Sequence, residues 1–182
     1  MDTITLVSET EENISRTPGD QPDPEAVAAA LQAELLKRSA MIATAESLTG
    51  GQLGVLLSAA PGASETYLGG VVTYATEVKQ RVLDVSEETV DKHGVVSAEC
   101  AAEMAMGVRR LVGADYGVST TGVAGPTEQE GKPVGLVYVG VAGPDGVTTK
   151  ELHLDGDRAE IRKLSCLEAM SAAMATIVGV DG

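Results

Sequence analysis

Residues 40–51, Ala-Met-Ile-Ala-Thr-Ala-Glu-Ser-Leu-Thr-Gly-Gly, carry the reading of the fold. Ala40–Ala43 is apolar and of strand length, and Thr44 to Ser47 is polar and reads as a turn. Thr49-Gly50-Gly51 opens a helix, because Leu53, Leu56, Leu57 and Ala60 recur at i, i+3, i+4 and i+7. A strand ending in a serine and a glycine pair suits chemistry. The helix start offers unpaired N–H groups and the positive end of its dipole, and the glycines let a ligand approach the backbone. The same residues also read as an ordinary strand-to-helix turn capped by Thr or Ser. Ser47 is the candidate nucleophile in the first reading and a capping residue in the second.

Outward from this stretch, helical and extended patterns alternate. Asp23-Pro24 is a helix start, with Asp in the cap and Pro in the first turn, and the helix runs to about Arg38. Residues 1–22 are acidic and aperiodic and are expected to form a flexible tail, leaving 23–182 as a single domain. Downstream, Gly69–Tyr74 reads as a strand and Ala75–Val82 as a short helix carrying Lys79. Ser86 and Ser97 can cap two more helices, reaching His93 and Val112. Ala114–Thr120 and Val134–Ala142 read as strands separated by a long glycine-rich loop, and Gly143–Gly146 turns the chain into an antiparallel return. Asp157-Arg-Ala-Glu160 is a capping box that starts the last helix. This order predicts an α/β domain, a mixed sheet covered by helices on both faces.

Composition narrows the function classes. Lys and Arg number 13 against 27 Asp and Glu, a net charge of −14, which disfavours nucleic acid as a partner. No apolar run reaches the ~18 residues of a membrane span. The N-terminus lacks the basic start and apolar core of a signal peptide. Cys100 and Cys166 sit in helical patterns without metal-like spacing, which predicts reduced core residues of a cytoplasmic protein and no metal site. There is no Phe and no Trp, so Val, Leu, Ile, Met and Ala must fill the interior.

A serine nucleophile needs a base. His93 stands at a helix end and His153 in the returning strand, so a Ser-His-Asp triad has little support. The alternative is Lys79, which position allows, with Tyr74, to reach the sheet edge where Ser47 lies. A lysine pKa of about 10.4 must fall to about 7–8 for that role, and only a dry pocket sustains such a shift. Read plainly, Lys79 is a solvated helix lysine and Tyr74 a core ring with a wet hydroxyl. Arg158 and Arg162, spaced i, i+4 at a helix start, are either a phosphate-binding pair or surface arginines bridging to Asp155, Asp157 or Glu160.

The segments Thr44–Gly51, Val72–Lys79, His93-Gly-Val-Val-Ser97, Gly122-Val-Ala-Gly-Pro126, Lys132-Pro-Val-Gly135 and Gly156-Asp-Arg158 occur in this order. Together they resemble the CinA C-terminal domain family, the nicotinamide-nucleotide amidohydrolases, over about Glu25 to Val178. The resemblance implies a three-layer α/β/α domain in its stand-alone form. It also implies hydrolysis of nicotinamide mononucleotide to nicotinate mononucleotide and ammonia in pyridine-nucleotide recycling, without cofactor or metal. It assigns Ser47 as nucleophile, Lys79 as base and Tyr74 as proton relay. Backbone N–H groups of Thr49, Gly50 and Gly51 are expected to stabilise the oxyanion. Arg158, with the loop of Thr121, Gly122 and Gly125, is expected to hold the 5′-phosphate. A homo-oligomer is compatible with these features. Two departures stand out: Leu48 where relatives often have Cys, and Thr127-Glu-Gln-Glu130 where they have further glycines. Two carboxylates beside an anionic substrate favour the rival reading, a nucleotide-binding or regulatory module without turnover.

Overall fold

The computed structural model describes Val7–Glu9 and residues 21–179. In chain order the elements are β1 (Val7–Glu9), α1 (Pro24–Arg38), β2 (Ile42–Glu46), α2 (Gln52–Ala59), α3 (Ala63–Thr66), β3 (Tyr67–Val72), α4 (Thr76–Leu83), α5 (Glu87–His93), α6 (Ala98–Val112), β4 (Tyr116–Gly122), β5 (Leu136–Gly143), β6 (Gly146–His153) and α7 (Arg158–Val178). The sheet runs β1-β6-β5-β4-β2-β3. β2 lies parallel to both β3 and β4, whereas β5 is antiparallel to β4 and to β6. The expected mixed α/β sheet is therefore present. Most of the flexible-tail expectation lies outside the described residues. Within residues 1–22, Val7–Glu9 adds a short parallel strand beside β6.

Two apolar layers sandwich the sheet. On one face Leu31 and Leu35 of α1, Leu53 and Leu57 of α2, and Ile161 and Met170 of α7 pack on Val137, Val139 and Val141 of β5. On the other, Cys100, Met104 and Val108 of α6 and Leu83 of α4 pack on Ala43 and Ala45 of β2. Every second residue of β5 serves one face, as a strand buried on both sides requires. α6 approaches the sheet closely because small residues line the contact. A Cβ on Gly117 would collide with the Ala105 carbonyl, and one on Gly140 with that of Ala101.

The caps form as expected. Asp23 accepts the Glu25 N–H, Ser86 that of Thr89 and Ser97 that of Cys100, and Asp157 with Glu160 completes a capping box. The predicted strand at Ala40–Ala43 is displaced. The observed strand is Ile42–Glu46, with all five residues buried, so Thr44-Ala45-Glu46 is strand and not turn. Thr44 Oγ1 pairs with the Tyr67 hydroxyl at 2.8 Å, and Glu46 is 2% exposed with its carboxylate fully engaged. Polar side chains with such partners sit in a buried strand without penalty. β3 also starts two residues early, at Tyr67, and ends at Val72.

β2 is the strand at which the chain order reverses: its successor β3 lies on one side and β4 on the other. The C-terminal ends of these three parallel strands share one edge of the sheet. Ser47 follows β2, Thr73 and Tyr74 follow β3, and Thr121–Gly122 close β4. Open α/β sheets bind ligands in the crevice beyond such a switch point.

Candidate active site

Ser47 is held by its own backbone. Its N–H donates to the Thr120 carbonyl at 3.0 Å, and its carbonyl accepts the Gly50 N–H at 3.1 Å. Behind the turn, Glu46 does what a cap residue would do for α2. Its Oε2 accepts the N–H groups of Gly51 (2.9 Å) and Leu53 (3.1 Å), and Oε1 that of Gly54 (2.8 Å). Gly51, at the cap position with φ of 97°, has no side chain to do this. A buried carboxylate thus meets the orphan donors and the positive dipole end of α2.

This arrangement corrects one expectation. The Gly51 N–H is spent on Glu46 and the Gly50 N–H on Ser47, so neither is free to meet an oxyanion. Thr49 is buried, its hydroxyl on Thr120 Oγ1 at 2.8 Å and its carbonyl on Arg162 Nη2 at 2.7 Å. Among the described residues, the N–H groups of Leu48 and Thr49 have no acceptor.

Lys79 reaches Ser47 from the first turn of α4. Its ammonium nitrogen lies 3.0 Å from Ser47 Oγ, 2.6 Å from the Thr73 carbonyl and 3.4 Å from the Tyr74 carbonyl. At 1% exposure it heads the largest fully buried side chains among the described residues, in a protein without Phe or Trp. Among the described residues no carboxylate pairs with it directly. Burial therefore lowers its pKa, against smaller opposing effects of Cys100 and Glu130. The neutral amine has two N–H groups for the two carbonyls and a lone pair for the Ser47 hydroxyl proton. The solvated-lysine reading does not describe this position.

The two histidines stand elsewhere: His93 pairs with Glu99 at 3.3 Å and His153 with Glu151 at 2.9 Å. Tyr74 is 63% exposed and is not a core ring. Its hydroxyl accepts from Arg158 Nη2 at 3.2 Å, so the hydrogen bond it makes here runs to Arg158, and only its backbone carbonyl meets Lys79. The arginine pair is split. Arg158 Nη1 donates to the Gly125 carbonyl at 2.6 Å, whereas Arg162 turns behind the nucleophile and braces Thr49.

A cleft of about 290 Å³ opens in front of Ser47. Leu48, Tyr74, Thr121, Gly122, Gly125 and Arg158 line it, and Thr49, Gly50 and Gly51 do not. Thr121 turns its hydroxyl to the Val95 carbonyl at 2.6 Å. Val95, Val96 and the loop residues Thr127, Glu128 and Gln129 complete the walls. The N–H groups of Ala124 and Gly125 have no acceptor among the described residues. Sequence reasoning missed Leu48, Val95 and Val96 as cleft residues, because apolar side chains carry no chemical signal in the sequence. It also missed Glu46, whose place in the Thr44–Ser47 motif resembled a turn.

A half-buried Ser47 in contact with a buried Lys79 stands at the switch point of this α/β/α domain. Residues 24–177 match the model of the CinA C-terminal domain, and the chain belongs to that family. It is 49% identical over 146 residues, 80% of its length, to a CinA-like protein of Frankia casuarinae, and 44% identical over 151 residues to a CinA-like protein of Synechococcus. It covers only 34% and 36% of these two relatives' own lengths. Among solved structures, a CinA superfamily protein of Klebsiella pneumoniae superposes with a TM-score of 0.84 at 31% identity, covering 87% of this chain and 99% of that one. The competence/damage inducible protein CihA of Agrobacterium tumefaciens gives 0.81 at 34% identity, covering 85% and 96%. No helix of the described residues is long and apolar enough to cross a membrane.

Proposed function

We propose that this domain hydrolyses the carboxamide of nicotinamide mononucleotide to nicotinate mononucleotide and ammonia. One observation carries the reading: a buried Lys79, without a carboxylate partner among the described residues, with its nitrogen 3.0 Å from the hydroxyl of Ser47. Neutral Lys79 takes the Ser47 proton as Oγ attacks the carboxamide carbon. The N–H group of Leu48, a residue that lines the cleft, meets the oxyanion. The Lys79 ammonium then protonates the departing nitrogen, ammonia leaves, and an ester to Ser47 remains. Lys79 takes a proton from water as it attacks that ester, then returns it to Ser47 Oγ as the C–Oγ bond breaks, and the acid released ionises to the carboxylate. Each step moves one proton through the Lys79 nitrogen.

Arg158 and the N–H groups of Ala124 and Gly125 would hold the phosphate, with Tyr74 beside them. The cationic pyridinium ring of the substrate favours the neutral form of Lys79. A place in cytoplasmic pyridine-nucleotide recycling belongs to the same proposal. Glu128, which lines the cleft, favours the second reading, a nucleotide-binding module without turnover.

Ammonia release from nicotinamide mononucleotide by wild type, Ser47→Ala and Lys79→Ala separates the two. Turnover by wild type that falls by at least about 10³-fold in each variant is expected. Activity surviving in Ser47→Ala removes the nucleophile. Tight nucleotide binding by an inactive wild type establishes the module.

A further inference from the structure

The loop that departs from the family pattern ends in a tight turn. Gln129 and Lys132 exchange backbone hydrogen bonds at 3.2 and 2.9 Å, and Glu130 and Gly131 between them have φ of 54° and 69°. These are the angles of a type I′ turn, which Asn or Gly would occupy without strain at the first central position. A glutamate there must be held by something else.

What holds it is the segment before α6. Glu130 Oε2 accepts the Val95 N–H at 3.1 Å and the Val96 N–H at 3.4 Å. Gly94, with φ of 78°, leaves the space that the carboxylate fills, since a Cβ there would collide with Oε2. From the other side of the turn, Lys132 Nζ donates to the His93 carbonyl at 2.8 Å and to the Val96 carbonyl. Consecutive N–H groups converging on an anion form a backbone nest. Here the anion belongs to the chain itself. Val95 and Val96 on one side of this contact, and Thr127–Gln129 on the other, are walls of the cleft.

We propose that Glu130 is a positioning residue: its carboxylate fills the nest at Gly94–Val96 and so fixes Thr127–Gln129 as a wall of the nucleotide cleft. This rests on reading the cleft as the substrate site. It gives the acidic loop a structural use and leaves Glu128 as the loop's carboxylate among the residues lining the cleft.

The test is Glu130→Gly, which removes the carboxylate and relaxes the positive φ, so the turn still forms. KM for nicotinamide mononucleotide should rise about tenfold with kcat changed less than about threefold, because Glu130 makes no contact with Ser47 or Lys79 and losing its charge only favours the neutral amine further. Acetate, a carboxylate small enough to refill the nest, should restore KM in a saturable way. It should also return the Val95 and Val96 amide resonances of the ¹⁵N-labelled variant toward their wild-type positions. An unchanged KM, or amide resonances that ignore acetate, overturns the proposal. The resonance measurement needs no turnover. A wild type that releases no ammonia would therefore count against the amidase reading alone.

Discussion

Glu46 and Ser47 are neighbours in the chain and serve opposite sides of one turn. The Glu46 carboxylate takes three N–H groups of the α2 start, while the Ser47 hydroxyl meets Lys79. The acid holds the turn in shape and the alcohol is left free to react. Glu46→Ala strands buried donors, and should lower the unfolding free energy by about 3 kcal/mol in urea titration. Glu46→Gln keeps one acceptor oxygen but brings an amide N–H against a donor, and should fall between. An Ala variant within about 1 kcal/mol of wild type would show that water replaces the carboxylate.

Burial holds Lys79 below the ordinary lysine pKa of about 10.4. Between the lowered folded value and that unfolded one, the unfolded chain binds more protons here, so stability rises with pH in that window. Below it the full penalty of burying an ammonium applies. Lys79→Met should therefore melt higher than wild type at neutral pH, by roughly 2–4 °C for each kcal/mol relieved, while releasing no ammonia. In wild type, kcat/KM should climb with pH along a limb whose midpoint lies below 10.4. A limb at or above that value contradicts a neutral-lysine base.

Arg158 and Arg162 are one helical turn apart and do different work. Arg158→Ala removes a charged donor from the cleft and should raise KM by roughly 10–100-fold with little change in kcat. Arg162→Ala removes the brace on Thr49, next to the proposed oxyanion donor Leu48, and should depress kcat instead. Steady-state kinetics with both variants checks this. Equal KM effects would restore the picture of a two-arginine phosphate clamp.

Cys100 and Cys166 are buried, and burial pushes the Cys100 thiol up to about 12 and Cys166 higher still. Neither supplies thiolate at neutral pH. Ellman's reagent should leave native protein unmodified over hours and react with both thiols once urea unfolds the chain.

Local chemistry explains which parts were legible in the sequence. The helix starts at Asp23, Ser86, Ser97 and Asp157 follow from cap residues bonding to N–H groups two or three positions away, so a short window contains the whole interaction. The hairpin at Gly143–Gly146 is equally local. Thr44 and Glu46 were misread as turn because their partners, the Tyr67 hydroxyl and the α2 amides, cannot be seen from the strand itself. Lys79 alone looked like a helix-surface cation. Its burial depends on separate segments meeting around it, the turn after β2 at Ser47 and the turn after β3 at Thr73. The oxyanion donors misassigned to Gly50 and Gly51 show the same limit. Which amide is free depends on which is already taken by Glu46.

The contact between α6 and the sheet has reached the smallest side chains available. Gly117 and Gly140 press on carbonyls of the helix itself, so no further shortening can bring the layers closer and any enlargement must push them apart. Mutation can move this plane in one direction only. The strands that deliver Ser47 and Thr121 to a common edge are thus registered against a stop, as parts are against the fixed jaw of a vice. In lineages of this domain, drift should gather on the α1–α7 side, where bulky aliphatic residues can exchange volume among themselves.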